Sequence, residues 1–307
     1  MNPVVSVRDL VKAYPSGNAL DGVSFDLEAN TIYGFLGRNG AGKSTTMSII
    51  TSQLFATSGT VRVFGEDPYE NPRVLGRMCF VRENQKYPES MTAAHALRAA
   101  SLFYPGWDHD VAEQLVADFR LPLKTKVKKL SRGQLSAVGV IIGLCSRAEI
   151  TFFDEPYLGL DAVARQIFYD RLIADYAEHP RTILMSSHLI DEIADLIERV
   201  LVIDGGRIIM DETVEEATSA LTRATGPTAA LDRLARGHRV LERRTMGSAG
   251  ALVFHGIPSA AESETASHAG VRLESVGLQE SIVHRTAAAA TATGPELSPS
   301  SMEGALS

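Results

Sequence analysis

Gly37-Arg38-Asn39-Gly40-Ala41-Gly42-Lys43-Ser44-Thr45 is the stretch on which the fold turns, because it fits G-x-x-x-x-G-K-S. An apolar run, Thr31-Ile32-Tyr33-Gly34-Phe35-Leu36, precedes it, and Met47, Ile50 and Leu54 follow on one face of an expected amphipathic helix. A loop set between a buried strand and a helix is built for phosphate. Its glycines let successive backbone N–H groups turn inward, and the helix N-terminus adds partial positive charge. Lys43 carries a mobile full charge to the β- and γ-phosphates, and the Ser44 hydroxyl is offered to Mg²⁺. A chance glycine-rich loop has no reason to sit between those two elements. The expected ligand is a nucleoside triphosphate.

Val23, Phe25 and Leu27 alternate with Ser24 and Asp26, the period of a half-buried strand. Apolar runs at Ile150-Thr151-Phe152-Phe153 and Thr182-Ile183-Leu184-Met185 match the one before the glycine loop, and polar residues follow each. Buried strands separated by helices, with chemistry at their C-terminal ends, predict an α/β fold around a parallel sheet. Val200 to Ile203, Asp204-Gly205-Gly206 and Arg207 to Met210 predict a hairpin, since Asp-Gly suits the primed turns.

The run from Ile150 ends in Asp154-Glu155-Pro156. At a strand end both carboxylates reach the phosphate region: Asp154 suits Mg²⁺, and Glu155 suits polarising an attacking water. An acidic pair capping the next helix is an equal reading until the phosphate loop is set beside it. Of eight histidines, His188 is the one expected at a strand C-terminus, in Met185-Ser186-Ser187-His188. A neutral imidazole on that edge can hold the γ-phosphate and the water in line.

Leu130-Ser131-Arg132-Gly133-Gln134 resembles the LSGGQ signature of the ABC ATPases, with Arg132 replacing the central glycine. The order of motifs carries the resemblance: phosphate loop, signature, Asp154-Glu155, Leu160-Asp161 and His188, spanning about Val4 to Thr213. It implies a P-loop NTPase with a RecA-like parallel sheet core, an antiparallel β subdomain and a helical signature subdomain over about 84–146. It also implies that two copies close over ATP. Ser131, Gly133 and Gln134 of one copy would face the γ-phosphate held by the other, with Asp161 in the loop between them. Tyr14 falls where these ATPases stack an aromatic ring on adenine, although a packed strand-end tyrosine reads the same. The family has a metal-serving glutamine near Phe80-Val81-Arg82-Glu83; Glu83 is favoured by its spacing to Met91-Thr92, and Gln85 stays open.

The chain has 307 residues, a length for one large or two modest domains at roughly 150 residues each. Residues 1–220 are expected as the ATPase unit, 221–286 as a small α+β accessory domain, and 287–307, rich in Ala, Thr, Ser, Pro and Gly, as a disordered tail. A formal net charge of −7 argues against nucleic acid as the partner, because neutralising phosphates takes an excess of Lys and Arg. The run Lys124, Lys126, Lys128 and Lys129 reads first as a solvated face and second as a field favouring triphosphate. Cys79 and Cys145 have neither metal spacing nor a pairing pattern and are expected reduced. No signal peptide is expected, and no apolar stretch approaches the ~20 residues of a membrane helix.

The resemblance therefore implies an ATP- and Mg²⁺-dependent motor with two partners, a second ATPase subunit and a separate integral membrane permease. Its expected place is cytoplasmic, peripheral at the inner face of the cell membrane, and its expected direction is export. Tyr87, Pro88, Tyr104, Pro105 and Trp107 fall where such subunits dock a short helix of the permease, or they pack the helical subdomain. The rival reading, a soluble ABC ATPase acting on nucleic acid or ribosomes, lacks the second ATPase unit or the long coiled coil those proteins carry. A P-loop kinase would have no use for the signature.

Overall fold

The computed structural model describes residues 3–83 and 85–292, the last six as backbone alone. The chain divides into two units, Met1–Val214 and Glu215–Ser307.

The first unit contains two sheets. The smaller is antiparallel, in the order β2 (Gly17–Leu27), β1 (Val5–Tyr14), β4 (Ser58–Val63). Val23, Phe25 and Leu27 are buried as the alternation requires, and the Phe25 ring meets Phe35 of the larger sheet at a centroid distance of 6.0 Å. The larger sheet has six strands in the order β5 (Met78–Val81), β6 (Ile150–Asp154), β7 (Thr182–Ser187), β3 (Ile32–Leu36), β8 (Arg199–Asp204), β9 (Arg207–Thr213). All neighbours run parallel except β8 and β9, which form the expected hairpin. Every residue of β3, β6 and β7 is buried, which is why their sequences are continuous apolar runs. Leu36 pairs with Ser187 and Asp154 with Ser186, so three adjacent strands end at one level and deliver their following loops to one edge.

Helix α1 (Lys43–Ile50) follows the glycine loop with Met47 and Ile50 fully buried. It stops sooner than its apolar spacing predicts. Thr51 turns its hydroxyl back onto the Met47 carbonyl at 2.8 Å and Ser52 takes φ 56°, so Leu54 packs on the core from beyond the helix. Hydroxyl competition for helix carbonyls accounts for the early end. The short α2 (Pro72–Leu75) precedes β5. Between β5 and β6 lie α3 (Ala93–Phe103), α4 (His109–Asp118) and α5 (Arg132–Cys145); α6 (Ala162–Glu178) and α7 (Ile190–Ile193) complete the unit. Cys79 and Cys145 are buried and free, and burial raises both thiols, Cys145 to about 12. They are inert packing residues at neutral pH.

The division between the units lies at Val214/Glu215, just inside the start of α8 (Val214–Ser219), whereas the sequence reading places it after residue 220. The antiparallel sheet of the second unit has the order β11 (Val240–Met246), β12 (Ala249–His255), β10 (Leu221–Pro227), β13 (Arg272–Ser275). Helices α9 (Thr228–Ala235) and α10 (Ala260–His268) contribute Leu231 and Ala266 to a core shared with Leu252, Phe254 and Val271. Helix α11 (Leu278–Ala292) continues through the start of the segment expected as a tail, because four consecutive alanines from Ala287 are the strongest helix formers. The rest of that segment, 293–307, lies outside the described residues. Among the described residues no helix is long and apolar enough to cross a membrane.

Candidate functional site

A cavity of about 520 Å³ opens at the edge where β3, β6 and β7 end, lined by Arg38, Asn39, Gly40, Gly42, Lys43, Ser44, Thr45, Glu83, Arg132, Glu155, Leu158 and His188. Gly42 caps α1 with φ 118°, and a side chain there would strike Leu20 Cδ2 at 2.6 Å and the Ala19 carbonyl at 2.9 Å. Only glycine starts the helix at this point. The first turn of α1 carries no acidic residue, so the N-terminal field is left for an anion. Lys43 is 6% exposed; its ammonium donates to the Gly37 carbonyl at 2.7 Å and lies 3.7 Å from Glu155 Oε1.

Glu155 is held in an unusual way. Its backbone has φ 50°, a left-handed conformation costly for any residue that carries a Cβ. The Glu155 N–H donates to Ser186 Oγ at 2.9 Å, and that hydroxyl donates to Asp154 Oδ1 at 2.8 Å. One serine thus ties the two carboxylate residues together. The turn separates their roles: Glu155 lines the cavity, whereas Asp154, 4% exposed, sits behind it. Glu155 Oε2 meets His188 Nδ1 at 2.5 Å and accepts from the Tyr157 hydroxyl at 3.0 Å.

Tyr157 was not singled out from the sequence. Its hydroxyl also meets Ser187 Oγ at 2.8 Å and accepts from the His188 N–H at 3.2 Å, and burial raises its pKa well above the ordinary range, so the phenol stays protonated. It orients both groups that face the cavity. Tyr157→Phe keeps the packing and removes the hydroxyl, leaving buried partners unsatisfied at a cost of about 1–3 kcal/mol. Thermal melting should fall by several degrees, and kcat should drop with the KM for ATP little changed. Unaltered kcat would separate this hydroxyl from the chemistry.

The signature residues have a local purpose visible in the backbone. Ser131 caps α5: Gln134 N–H donates to Ser131 Oγ at 3.2 Å and Ser131 N–H to Gln134 Oε1 at 3.0 Å, a reciprocal capping box. Gly133 lies so close to Gly159 that an added Cβ would come within 2.4 Å of the Gly159 carbonyl, and Ser136 Oγ donates to the Leu158 carbonyl at 2.5 Å. The start of α5 is therefore clamped to the loop after Glu155. Asp161 caps α6 through the Ala164 N–H at 2.8 Å. Ser131, Gln134 and Asp161 do not line the cavity of their own chain, and neither does Tyr14, which is 44% exposed beneath the Lys12 ammonium.

Glu83 lines the cavity with Lys43, whereas Gln85 lines a separate one with Tyr87, Pro88 and Tyr104. Trp107 lies in a third, apolar groove with Leu97 and Leu102. Of the basic run, Lys128 pairs with Glu89 at 2.7 Å, and all four lysines are exposed outside the phosphate cavity.

Residues 20–158 match the family described as "ABC transporter". The chain is 31% identical over 213 residues to the bacitracin transport ATP-binding protein BcrA of Bacillus licheniformis, covering 68% of this chain and 69% of that one. It is 30% identical over 228 residues to the daunorubicin/doxorubicin resistance ATP-binding protein DrrA of Streptomyces peucetius, covering 71% and 67%. Among solved structures, the ATP-binding subunit of an ABC transporter superposes with a TM-score of 0.62 at 24% identity, over 70% of this chain and 91% of that one. That last likeness is one of fold.

Proposed function

We propose that this chain, which belongs to the ABC transporter family, is the ATPase motor of an exporter whose membrane-spanning part is a separate protein. ATP hydrolysis is the reaction of the family and of this chain. The observation that carries the assignment of roles is the convergence of Lys43, Glu155 and His188 on one cavity at the ends of three adjacent strands.

Lys43 exchanges the Gly37 carbonyl for the β- and γ-phosphates, while the N–H groups of the loop and of α1 surround them. Glu155 draws the proton side of the attacking water. Its Oε2 is already committed to His188 and Tyr157, so the carboxylate is fixed in direction before substrate arrives. Ser44 and Glu83 at the cavity, with Asp154 behind, are hard oxygen donors of the kind Mg²⁺ takes, so these residues fit that ion. When bound, Mg²⁺ would neutralise charge on the phosphates. Tyr14 supplies the face for adenine.

Ser131, Gly133 and Gln134 do not face their own chain's phosphates, an arrangement that supports their serving a second copy in a head-to-tail dimer. Asp161 lies beside that seam. The cavity shared by Tyr87, Pro88 and Tyr104 gives the permease an aromatic socket on the inner face of the membrane. The names of the two bacterial relatives, one for bacitracin transport and one for drug resistance, support outward movement of an amphiphilic cargo. Purification of the tagged chain from detergent-solubilised membranes tests the transporter half of this reading. A multi-span protein should co-purify in fixed proportion. Recovery of the chain alone, with undiminished ATPase activity, would remove the permease from the proposal.

A further inference from the structure

Arg132 stands where the signature has glycine, and Glu83 is the residue read, ahead of Gln85, as the counterpart of the family's glutamine. In the structure the two residues meet: Arg132 Nη2 donates to Glu83 Oε1 at 2.8 Å, and both line the phosphate cavity. Glycine has no side chain to make this contact, and a neutral amide would hold a guanidinium less strongly than a carboxylate does. Each residue supplies the other's partner.

We propose that the Arg132–Glu83 ion pair is a latch on the nucleotide site, closed in the empty chain and opened by filling of the cavity. The inference rests on the reading that this cavity takes a metal–triphosphate. A guanidinium and a divalent cation compete for the same carboxylate, and Glu83 has one negative charge to give. In the empty chain Arg132 holds it. When the cavity fills, Glu83 turns to the cation and Arg132 is released. The backbone need not move for this. Arg132 is the first residue of α5, whose start is pinned by Gly133 on Gly159 and Ser136 on Leu158, so the exchange lies in the side chains. Arg132 is thus a positioning residue that acts through Glu83, and it sets how much Mg²⁺ the site requires.

With side chains 61% and 33% exposed, the pair has the modest strength of a surface ion pair, a bias of about 1.5- to 5-fold. The test measures binding of a fluorescent, non-hydrolysable ATP analogue to the full chain across a Mg²⁺ series. Arg132→Gly should lower the Mg²⁺ concentration for half-maximal binding by about 1.5- to 5-fold, and Arg132→Ala, which keeps a helix-forming residue at this position, should do the same. Arg132→Lys should stay near wild type because an ammonium can keep the pair. Raised ionic strength should bring the wild type toward Arg132→Gly by screening. In a Glu83→Gln background, removing Arg132 should no longer shift the requirement. The latch is overturned if Arg132→Gly and Arg132→Ala leave the Mg²⁺ dependence unchanged, or shift it equally with and without Glu83. Failure of the wild-type chain to bind the analogue at any Mg²⁺ concentration would sink the nucleotide reading itself, and the latch with it.

Discussion

Glu155→Gln is expected to bind ATP, hold it, and turn it over at least 100-fold more slowly, a loss typical of removing a general base. Glutamine has the same shape as glutamate, so the contact with Tyr157 and the left-handed backbone supported by Ser186 should persist. What disappears is the charge that draws a proton from water. His188 Nδ1, now beside an amide, also loses its anionic partner at 2.5 Å. With binding intact and the exit step blocked, the head-to-tail dimer should accumulate with ATP and fall apart without it, as read by size-exclusion chromatography with light scattering. Normal turnover in this variant would take Glu155 out of the chemistry. Blocked turnover without dimers would leave Glu155 in place and count against the trans role of Ser131 and Gly133.

Lys43→Ala should fail one step earlier. The ammonium is the cavity's buried cation, and a charge-assisted hydrogen bond is worth about 1.5–3 kcal/mol, so affinity for the triphosphate should fall about 10- to 150-fold. Lys43→Arg is the informative companion, since it keeps the charge but must fit a bulkier fork where lysine is only 6% exposed. Loss in both variants places the requirement on shape as well as charge. Fluorescent ATP titration reads the result, and unchanged affinity in Lys43→Ala would refute the cradle.

The sheet and the cavity were largely legible in the sequence for one physical reason. Strands buried on both faces leave continuous apolar runs, and residues that break those runs at the C-terminal end arrive together at one edge. Lys43, Glu155 and His188 were found that way. Tyr157 was not, because its value lies in reaching Ser187 and His188 from another strand end, which no local pattern records. The Arg132–Glu83 pair shows the same limit: both residues stood out, but their meeting spans 49 positions. The end of α1 was misjudged because apolar spacing continued to Leu54 while Thr51 had already turned its hydroxyl onto the helix. In the second unit β11 is mostly exposed and β10 closes on Gly226-Pro227, so the strands left only a weak signal, and the alanine run of α11 looked like low complexity although it is good helix.

The clamp of Gly133 on Gly159 makes α5 a push rod. Its 14 residues span roughly 21 Å, and a helix is stiff along its axis. Its far end is seated as firmly as its near one: the Cys145 carbonyl accepts from Asp108 N–H at 3.0 Å, and Arg147 grips Asp108 at 2.7 Å. A recoil of the loop after Glu155 would thus have a continuous packed path to the corner where α4 begins. A spectroscopic label at His109, next to that corner, would report the state of the γ-phosphate from a distance, and Gly133→Ala should uncouple the signal by forcing the near joint apart.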